Sequence, residues 1–219
     1  MMRQRNYRAV IFDMDGILFD TERIGTMVWN TIAQEMELTD FEQVLKQCVG
    51  LNSRDTKSVF TKQYGDDFPY EEFRQRSSAM FHDVLQKDLP MKEGVIELLD
   101  FLKENNYRIA LATSTSKQSA MGHLTKSGIL PYFEVIVTGD MVRHGKPDPE
   151  IYKMACDGLG VPPKECIAIE DSPNGIRSAY AAGMNPIMIP DLIEPTYELR
   201  GLTCQILVSL LNVIEFLSE

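Results

Sequence analysis

The sequence predicts an α/β protein: a doubly wound parallel sheet, interrupted near its start by a block of helices. Three observations lead there. From Met91 onward, short apolar runs alternate strictly with amphipathic helical stretches, the pattern of successive β-α units. The strand candidates are apolar on consecutive positions rather than on every second one, as expected of strands covered on both faces. Between the first such run and the next helix lie four helical patterns with no strand among them. The reading is a Rossmann-like core made of residues 1–18 and 92–219, carrying a four-helix domain inserted at 19–91.

Each element has a local reason. RAVIF, Arg8 to Phe12, is β-branched and apolar and is stopped by Asp13. Helical periodicity then covers Thr21–Met36, Asp40–Cys48, Ser53–Tyr64 and Tyr70–Lys87, with Trp29, Tyr64, Phe73 and Phe81 expected to fill the insert's own core. The alternating part follows. It comprises helix Lys92–Asn105, strand Tyr107–Thr113, helix Lys117–Ser127, strand Phe133–Thr138, helix Pro149–Leu159, strand Cys166–Glu170, helix Pro173–Ala182, strand Asn185–Pro190 and a final helix Gln205–Leu217. Ser116 and Ser172 are placed as helix N-caps, the latter with Pro173 at the first helical position.

Composition excludes several functions. With 22 Lys+Arg against 32 Asp+Glu, the net charge of −10 argues against nucleic acid or an anionic membrane as the main partner, since both need a basic surface. An anionic substrate must be met by local cations. Cys48, Cys156, Cys166 and Cys204 are far apart and lack zinc spacing, so they read as reduced, mostly buried thiols. Arg3, Arg5 and Arg8 precede an apolar run of only Ala9 to Phe12, too short for a signal peptide. No segment is long enough to span a bilayer. A cytoplasmic monomer is expected.

In open α/β sheets the ligand sits beyond the carboxyl ends of the strands. The segments there are DMDG (Asp13–Gly16), TSTSK (Thr113–Lys117), TGDMVRHGKPDP (Thr138–Pro149) and EDSPNG (Glu170–Gly175). Neither G-x-x-x-x-G-K-[ST] nor G-x-G-x-x-G occurs. Each segment alone has a plain reading as a cap or a solvated loop; four of them in order at consecutive strand ends do not. Together they suit phosphoryl transfer. Asp13 can attack phosphorus and hold the group as an aspartyl phosphate. Asp15, two residues on and on the same side of an extended chain, can give and take the protons. Carboxylates facing a phosphate need a hard cation between them, which points to Mg²⁺ held by Asp13, Asp15, Asp171 and Glu170. Ser114, Thr115, the backbone N–H groups leading into the next helix, and the Lys146 ammonium are placed to bind the phosphoryl oxygens.

The four motifs resemble those of the haloacid dehalogenase superfamily, in particular its β-phosphoglucomutase-like phosphatase branch with a helical cap. The resemblance covers essentially the whole chain. It implies Asp13 as nucleophile and metal ligand, and Asp15 as acid/base that lends its backbone carbonyl to the metal. It also implies Ser114 and Lys146 as phosphoryl ligands, with Thr113 replacing Ser114 if the strand ends a residue earlier, and Asp171 with Glu170 completing the Mg²⁺ site. The dehalogenases of this superfamily lack the second aspartate and use no metal, so Asp15 and Asp171 argue for phosphoryl chemistry. The insert resembles the cap that closes over the site, with hinges near Phe19–Thr21 and Leu89–Met91. Within it GLNSRD, Gly50 to Asp55, offers Arg54 as the contact to the far end of the substrate. Where the mutase pattern has a histidine, five residues beyond Asp20, this chain has Gly25. The function expected is a Mg²⁺-dependent phosphatase of small phosphorylated metabolites, sugar phosphates foremost. The alternatives are a β-phosphoglucomutase-type mutase and, more remotely, a non-catalytic phosphometabolite-binding protein.

Overall fold

The structure, a computed structural model, describes residues 7–48 and 53–219. Arg3 and Arg5, and Gly50–Asn52 of the GLNSRD segment, lie outside the described residues. The chain divides into two compact units: the chain up to Phe19 together with Met91–Glu219, and Asp20–Pro90.

The first unit is built on six parallel strands: β1 (Ala9–Phe12), β2 (Arg108–Thr113), β3 (Val135–Thr138), β4 (Cys166–Glu170), β5 (Asn185–Met188) and β6 (Gln205–Ile206). Their order in the sheet is β3-β2-β1-β4-β5-β6. Winding proceeds outward from β1 on one side and resumes at β4 on the other, so the loops after β1 and β4 flank the crevice where such sheets bind ligands. Helices are numbered along the chain. The insert holds α1 (Thr21–Glu35), α2 (Phe41–Cys48), α3 (Ser53–Tyr64) and α4 (Tyr70–Lys87). The sheet unit holds α5 (Val95–Glu104), α6 (Lys117–Lys126), α7 (Glu150–Leu159), α8 (Pro173–Ala181), α9 (Tyr197–Leu202) and α10 (Leu210–Ser218).

Every residue of β1 and β4 is buried, which is why β1, and β4 up to its final Glu170, read as apolar runs. On one face Ala9 and Ile11 of β1 and Ala110 and Ala112 of β2 pack with Ile151, Ala155 and Leu159 of α7. The small side chains of β2 let α7 lie close to the strands. α5 packs on β2 and against α10. Each fully buried Ile or Leu contributes about 1.5–3 kcal/mol.

One expected element is corrected. The last helix does not run from Gln205 to Leu217: Gln205–Ile206 pairs with Ile187–Met188 as edge strand β6, and the helix begins only at Leu210, after Ser209. The apolar run fits either element locally, and the open hydrogen-bonding edge of β5 decides, with Cys204 N–H bonded to the Pro186 carbonyl (2.8 Å) and Leu207 N–H to that of Met188 (2.9 Å). The short α9 was not expected; the Thr196 side chain caps it by accepting from the Leu199 N–H.

The second unit has a core centred on Phe60, which is fully buried and has its ring 4.8 Å from Phe73 and 5.2 Å from Tyr70. Phe73 is buried, while Trp29, Tyr64 and Phe81 pack around this centre partly exposed. At the seam of the sheet unit Phe19 bridges antiparallel to Met91, and Lys92 N–H bonds the Leu18 carbonyl at 3.0 Å. Within the helical unit, Asp20 N–H bonds the Pro90 carbonyl at 2.9 Å. Among the described residues no helix is long and apolar enough to cross a membrane. Cys48, Cys156 and Cys166 are buried and Cys204 is exposed, each as a thiol outside any disulfide.

Candidate active site

DMDGILF forms a tight loop off the end of β1. The Met14 carbonyl accepts from the N–H groups of Leu18 (2.8 Å) and Phe19 (3.2 Å), and the Gly16 N–H bonds the Phe19 carbonyl (2.9 Å). Met14, Ile17 and Leu18 are buried, so the apolar letters around the aspartates anchor the loop in the core. Asp13 and Asp15, on either side of Met14, are left at the carboxyl edge of the sheet. Gly16 turns the chain at φ +79°, and a Cβ there would stand 2.3 Å from Oδ2 of Asp171. The loops after β1 and β4 therefore meet at a position only glycine can fill.

Register sets the next contact. Phe12 pairs with Leu111 and with Ile169, which puts Asp13 level with Ala112 on β2 and Glu170 on β4. One ammonium joins that level: Lys146 Nζ donates to Asp13 Oδ1 (2.7 Å), Glu170 Oε1 (2.6 Å) and the Ala112 carbonyl (3.0 Å). Lys146 arrives from the loop before α7, which Glu150 ties down by accepting from the N–H groups of Arg143 (2.9 Å) and His144 (3.1 Å). Burial alone would lower the Lys146 pKa, but Asp13 and Glu170 outweigh it and hold the value above the ordinary lysine range. Burial pushes the Asp13 carboxyl up to about 7; Lys146 pulls it down, and Glu170 and Asp15 push it up again.

Glu170 is wholly buried and saturated. Its Oε1 also accepts from the Tyr152 hydroxyl (2.7 Å), and its Oε2 from the Ser172 hydroxyl (3.0 Å) and N–H (3.3 Å). Ser172 caps α8 by accepting from the Gly175 N–H at 3.0 Å. A Cβ on Gly175 would lie 1.8 Å from Oε1 of Glu170, so the helix can approach this carboxylate only at a glycine. Burial, then the charge of Glu170, push the Tyr152 phenol well above its ordinary pKa, so it serves as a donor.

Asp13, Glu170 and Asp171 offer carboxylate oxygens within 4.8 Å of one another. The donors are all oxygen, and two of the carboxylates, Asp13 and Glu170, already share one ammonium. That set fits a hard divalent cation such as Mg²⁺ better than a soft metal.

The sheet unit thus gathers Asp13, Lys146, Glu170 and Asp171. Asp15 stands beside them, with Thr115 Oγ1 donating to its Oδ2 at 2.6 Å. Thr113 is the buried last residue of β2, and its hydroxyl accepts from the Thr115 N–H at 3.1 Å. Ser114 follows it, exposed, and its hydroxyl makes none of these contacts. The N–H groups expected to face a phosphate are partly spent within the loop: that of Lys117 goes to Asp140 (3.1 Å) and that of Ser119 to the Ser116 hydroxyl. Arg54 is exposed near the start of α3, in the helical unit. Sequence reasoning missed Tyr152, Asp140 and the Ala112 carbonyl. A signal existed for Tyr152, because a buried tyrosine on an otherwise apolar helix face must find a partner for its hydroxyl.

Fold and site together define an α/β enzyme that gathers carboxylates and a lysine at the carboxyl edge of a parallel sheet. Comparison with known proteins gives the family: residues 10–189 match the model of the haloacid dehalogenase-like hydrolases, and the chain belongs to that family. It is 34% identical over 179 residues to a phosphorylated carbohydrates phosphatase of Thermotoga maritima, covering 82% of this chain and 83% of the relative. It is 30% identical to the β-phosphoglucomutase of Bacillus subtilis, covering 81% of this chain and 80% of that one. A crystal structure of a candidate β-phosphoglucomutase from Thermotoga maritima superposes with a TM-score of 0.80 at 30% identity, covering 96% of this chain and 98% of the other.

Proposed function

We propose that this hydrolase is a Mg²⁺-dependent phosphatase of small phosphorylated metabolites, sugar phosphates foremost, working through an aspartyl phosphate on Asp13. The observation that carries the proposal is the setting of Asp13. Its Oδ1 is fixed by Lys146, which leaves Oδ2 for phosphorus, and a second carboxyl group, Asp15, stands two residues away. Oδ2 attacks phosphorus as the bond to the leaving oxygen breaks, and Asp15 supplies that oxygen with a proton. Water then attacks the phosphoryl group, Asp15 takes its proton, and the carboxylate of Asp13 is restored as phosphate departs. Asp13 and Asp171 would hold the cation, with the Asp15 carbonyl and Glu170 beside it. When bound, it would neutralise charge on the phosphoryl oxygens. Glu170 has a second task, since its contacts fix Lys146 in place.

The Thermotoga phosphatase supports the sugar-phosphate reading. The B. subtilis mutase keeps a second reading open, transfer back to a sugar instead of to water. Gly25 weighs against it: in the mutase pattern a histidine at that place couples cap closure to the acid/base, and glycine carries no side chain to do so. The test is a panel of phosphorylated metabolites with Mg²⁺, scored by phosphate release. Turnover of sugar or polyol phosphates above the other classes is expected. No release from any member would overturn the proposal.

A further inference from the structure

We infer that Thr115 is a positioning residue for Asp15, holding Oδ2 so that Oδ1 is presented for proton exchange. This rests on the reading of Asp15 as the acid/base. The Thr115 hydroxyl donates to Oδ2 at 2.6 Å, and a threonine hydroxyl has a single proton to donate. While it is committed to Asp15 it cannot donate to a phosphoryl oxygen, so its task differs from the phosphate contact expected of it.

The surroundings fit a support. All the polar groups of Thr115 are engaged: its N–H goes to the Thr113 hydroxyl (3.1 Å), its carbonyl accepts from the Gly139 N–H (3.1 Å), and its side chain holds Asp15. Both anchors are rigid, because Thr113 ends β2 in register with Thr138 of β3 and Gly139 follows directly. The Thr138 hydroxyl in turn bonds Asp140 (2.5 Å), which holds the Lys117 N–H. Two strand ends therefore fix a β-branched residue with a stiff χ1, and its hydroxyl points one way. Asp15 needs such help. It is only partly buried, on a loop that turns at Gly16, and its carboxyl has three staggered χ1 wells to choose from. The proton then has one address: Oδ1 gives it to the leaving alkoxide and receives one from the attacking water.

The test compares Thr115→Val, Thr115→Ala and Thr115→Ser on an alkyl phosphate identified by the phosphate-release panel and on p-nitrophenyl phosphate. Removing the hydroxyl should lower kcat on the alkyl phosphate about 10- to 100-fold, part of the 10²–10⁴-fold that acid–base catalysis supplies, with KM within about twofold. Thr115→Ser should recover most of the rate. The nitrophenolate leaving group needs no proton, so its first turnover should stay fast while water attack slows. A burst of about one nitrophenolate per enzyme would then precede a slow steady state. In an Asp15→Asn background, Thr115→Val should slow turnover no further. A raised KM with unchanged kcat would overturn the inference and return Thr115 to phosphate binding. So would parent rates in the Val and Ala variants, or an additive loss in the double variant. Parent turnover by Asp15→Asn alone would instead sink the acid/base reading. Thr115→Ala removes the same hydroxyl without adding a methyl group, should the valine variant fold poorly.

Discussion

Replacing Lys146 by methionine keeps most of the side chain's length and apolar bulk but deletes its charge. The ammonium has side-chain exposure of 7%, against 11% for Asp13 and 0% for Glu170, so solvent cannot take over its role. Two carboxylates lose their counter-ion at once, and the Ala112 carbonyl loses a donor. Removing one partner of a buried ion pair costs about 3–5 kcal/mol, because the charge left behind is uncompensated. A protein of this size shifts its Tm by roughly 2–4 °C per kcal/mol, so a fall of about 6–20 °C is expected in EDTA. Mg²⁺ should restore part of it by returning positive charge to the site. Because its partners raise the lysine pKa, the contribution is complete below the ordinary value of 10.5 and fades only as the pH climbs beyond it. Lys146 itself therefore adds no pH dependence to the gap between parent and variant up to about pH 9. The gap should widen above neutral pH only through Asp13, whose carboxyl rises further once Lys146 no longer pulls it down. Thermal unfolding by circular dichroism, with and without Mg²⁺, is the assay, run beside phosphate release. Lys146→Arg should not rescue, since a planar fork cannot meet three acceptors spaced for one ammonium. A Tm loss below about 2 °C in EDTA, the size expected for an exposed pair, would refute the argument that this ammonium balances the site.

Four further outcomes follow from the same geometry. Asp13→Asn should fold normally and keep less than about 1% of turnover, and the parent should trap beryllium fluoride on Asp13; more residual activity would remove the nucleophile from that position. EDTA should abolish phosphate release, Mg²⁺ restore it and Ca²⁺ inhibit, because a larger, irregularly coordinated ion spoils in-line geometry; full activity in EDTA would contradict the metal reading. With the Asp13 pKa raised from 3.8 to about 7, this group's stabilisation of the metal-free protein is complete below the unfolded value and lost as pH rises toward 7. The gain in Tm from Mg²⁺ should accordingly grow between about pH 5 and 7.5, and an equal gain at both ends would count against it. Finally, β-glucose 1-phosphate should yield phosphate but negligible glucose 6-phosphate, even with glucose 1,6-bisphosphate present. Isomerisation faster than release in a coupled dehydrogenase assay would install the mutase reading despite Gly25.

The central strands were legible because they are buried on both faces, where runs of consecutive apolar residues are expected. Strand ends were legible because carboxylates gather there: Asp13 and Asp171 directly follow β1 and β4, and Glu170 is itself the last residue of β4. What stayed hidden was which acceptor each donor chooses. That Thr115 bonds Asp15, or that Tyr152 and Lys146 share one oxygen of Glu170, depends on loop paths and on glycines that admit close approach, and neither has a period in the sequence. β6 was misread because a two-residue edge strand is defined by its neighbour, not by its own letters. Phe60 was overlooked for a similar reason, since any of several aromatics could have been the centre of the helical unit.

The bridge between Phe19 and Met91 bears on how such a chain could have been assembled. Because the sheet unit leaves and resumes at paired residues, the intervening segment, Asp20–Pro90, is for the sheet a single long loop with its ends already together. Closure entropy grows only with the logarithm of loop length, so about seventy residues cost the sheet roughly 2.5 kcal/mol more than a four-residue turn would. That difference is fixed almost entirely by where the ends lie and hardly at all by what is strung between them. A gene encoding the bare sheet could therefore accept a segment of almost any size or helical content at this seam, and the sheet would fold much as before. New selectivity could be acquired there without disturbing the carboxylates and lysine to which we assign the chemistry.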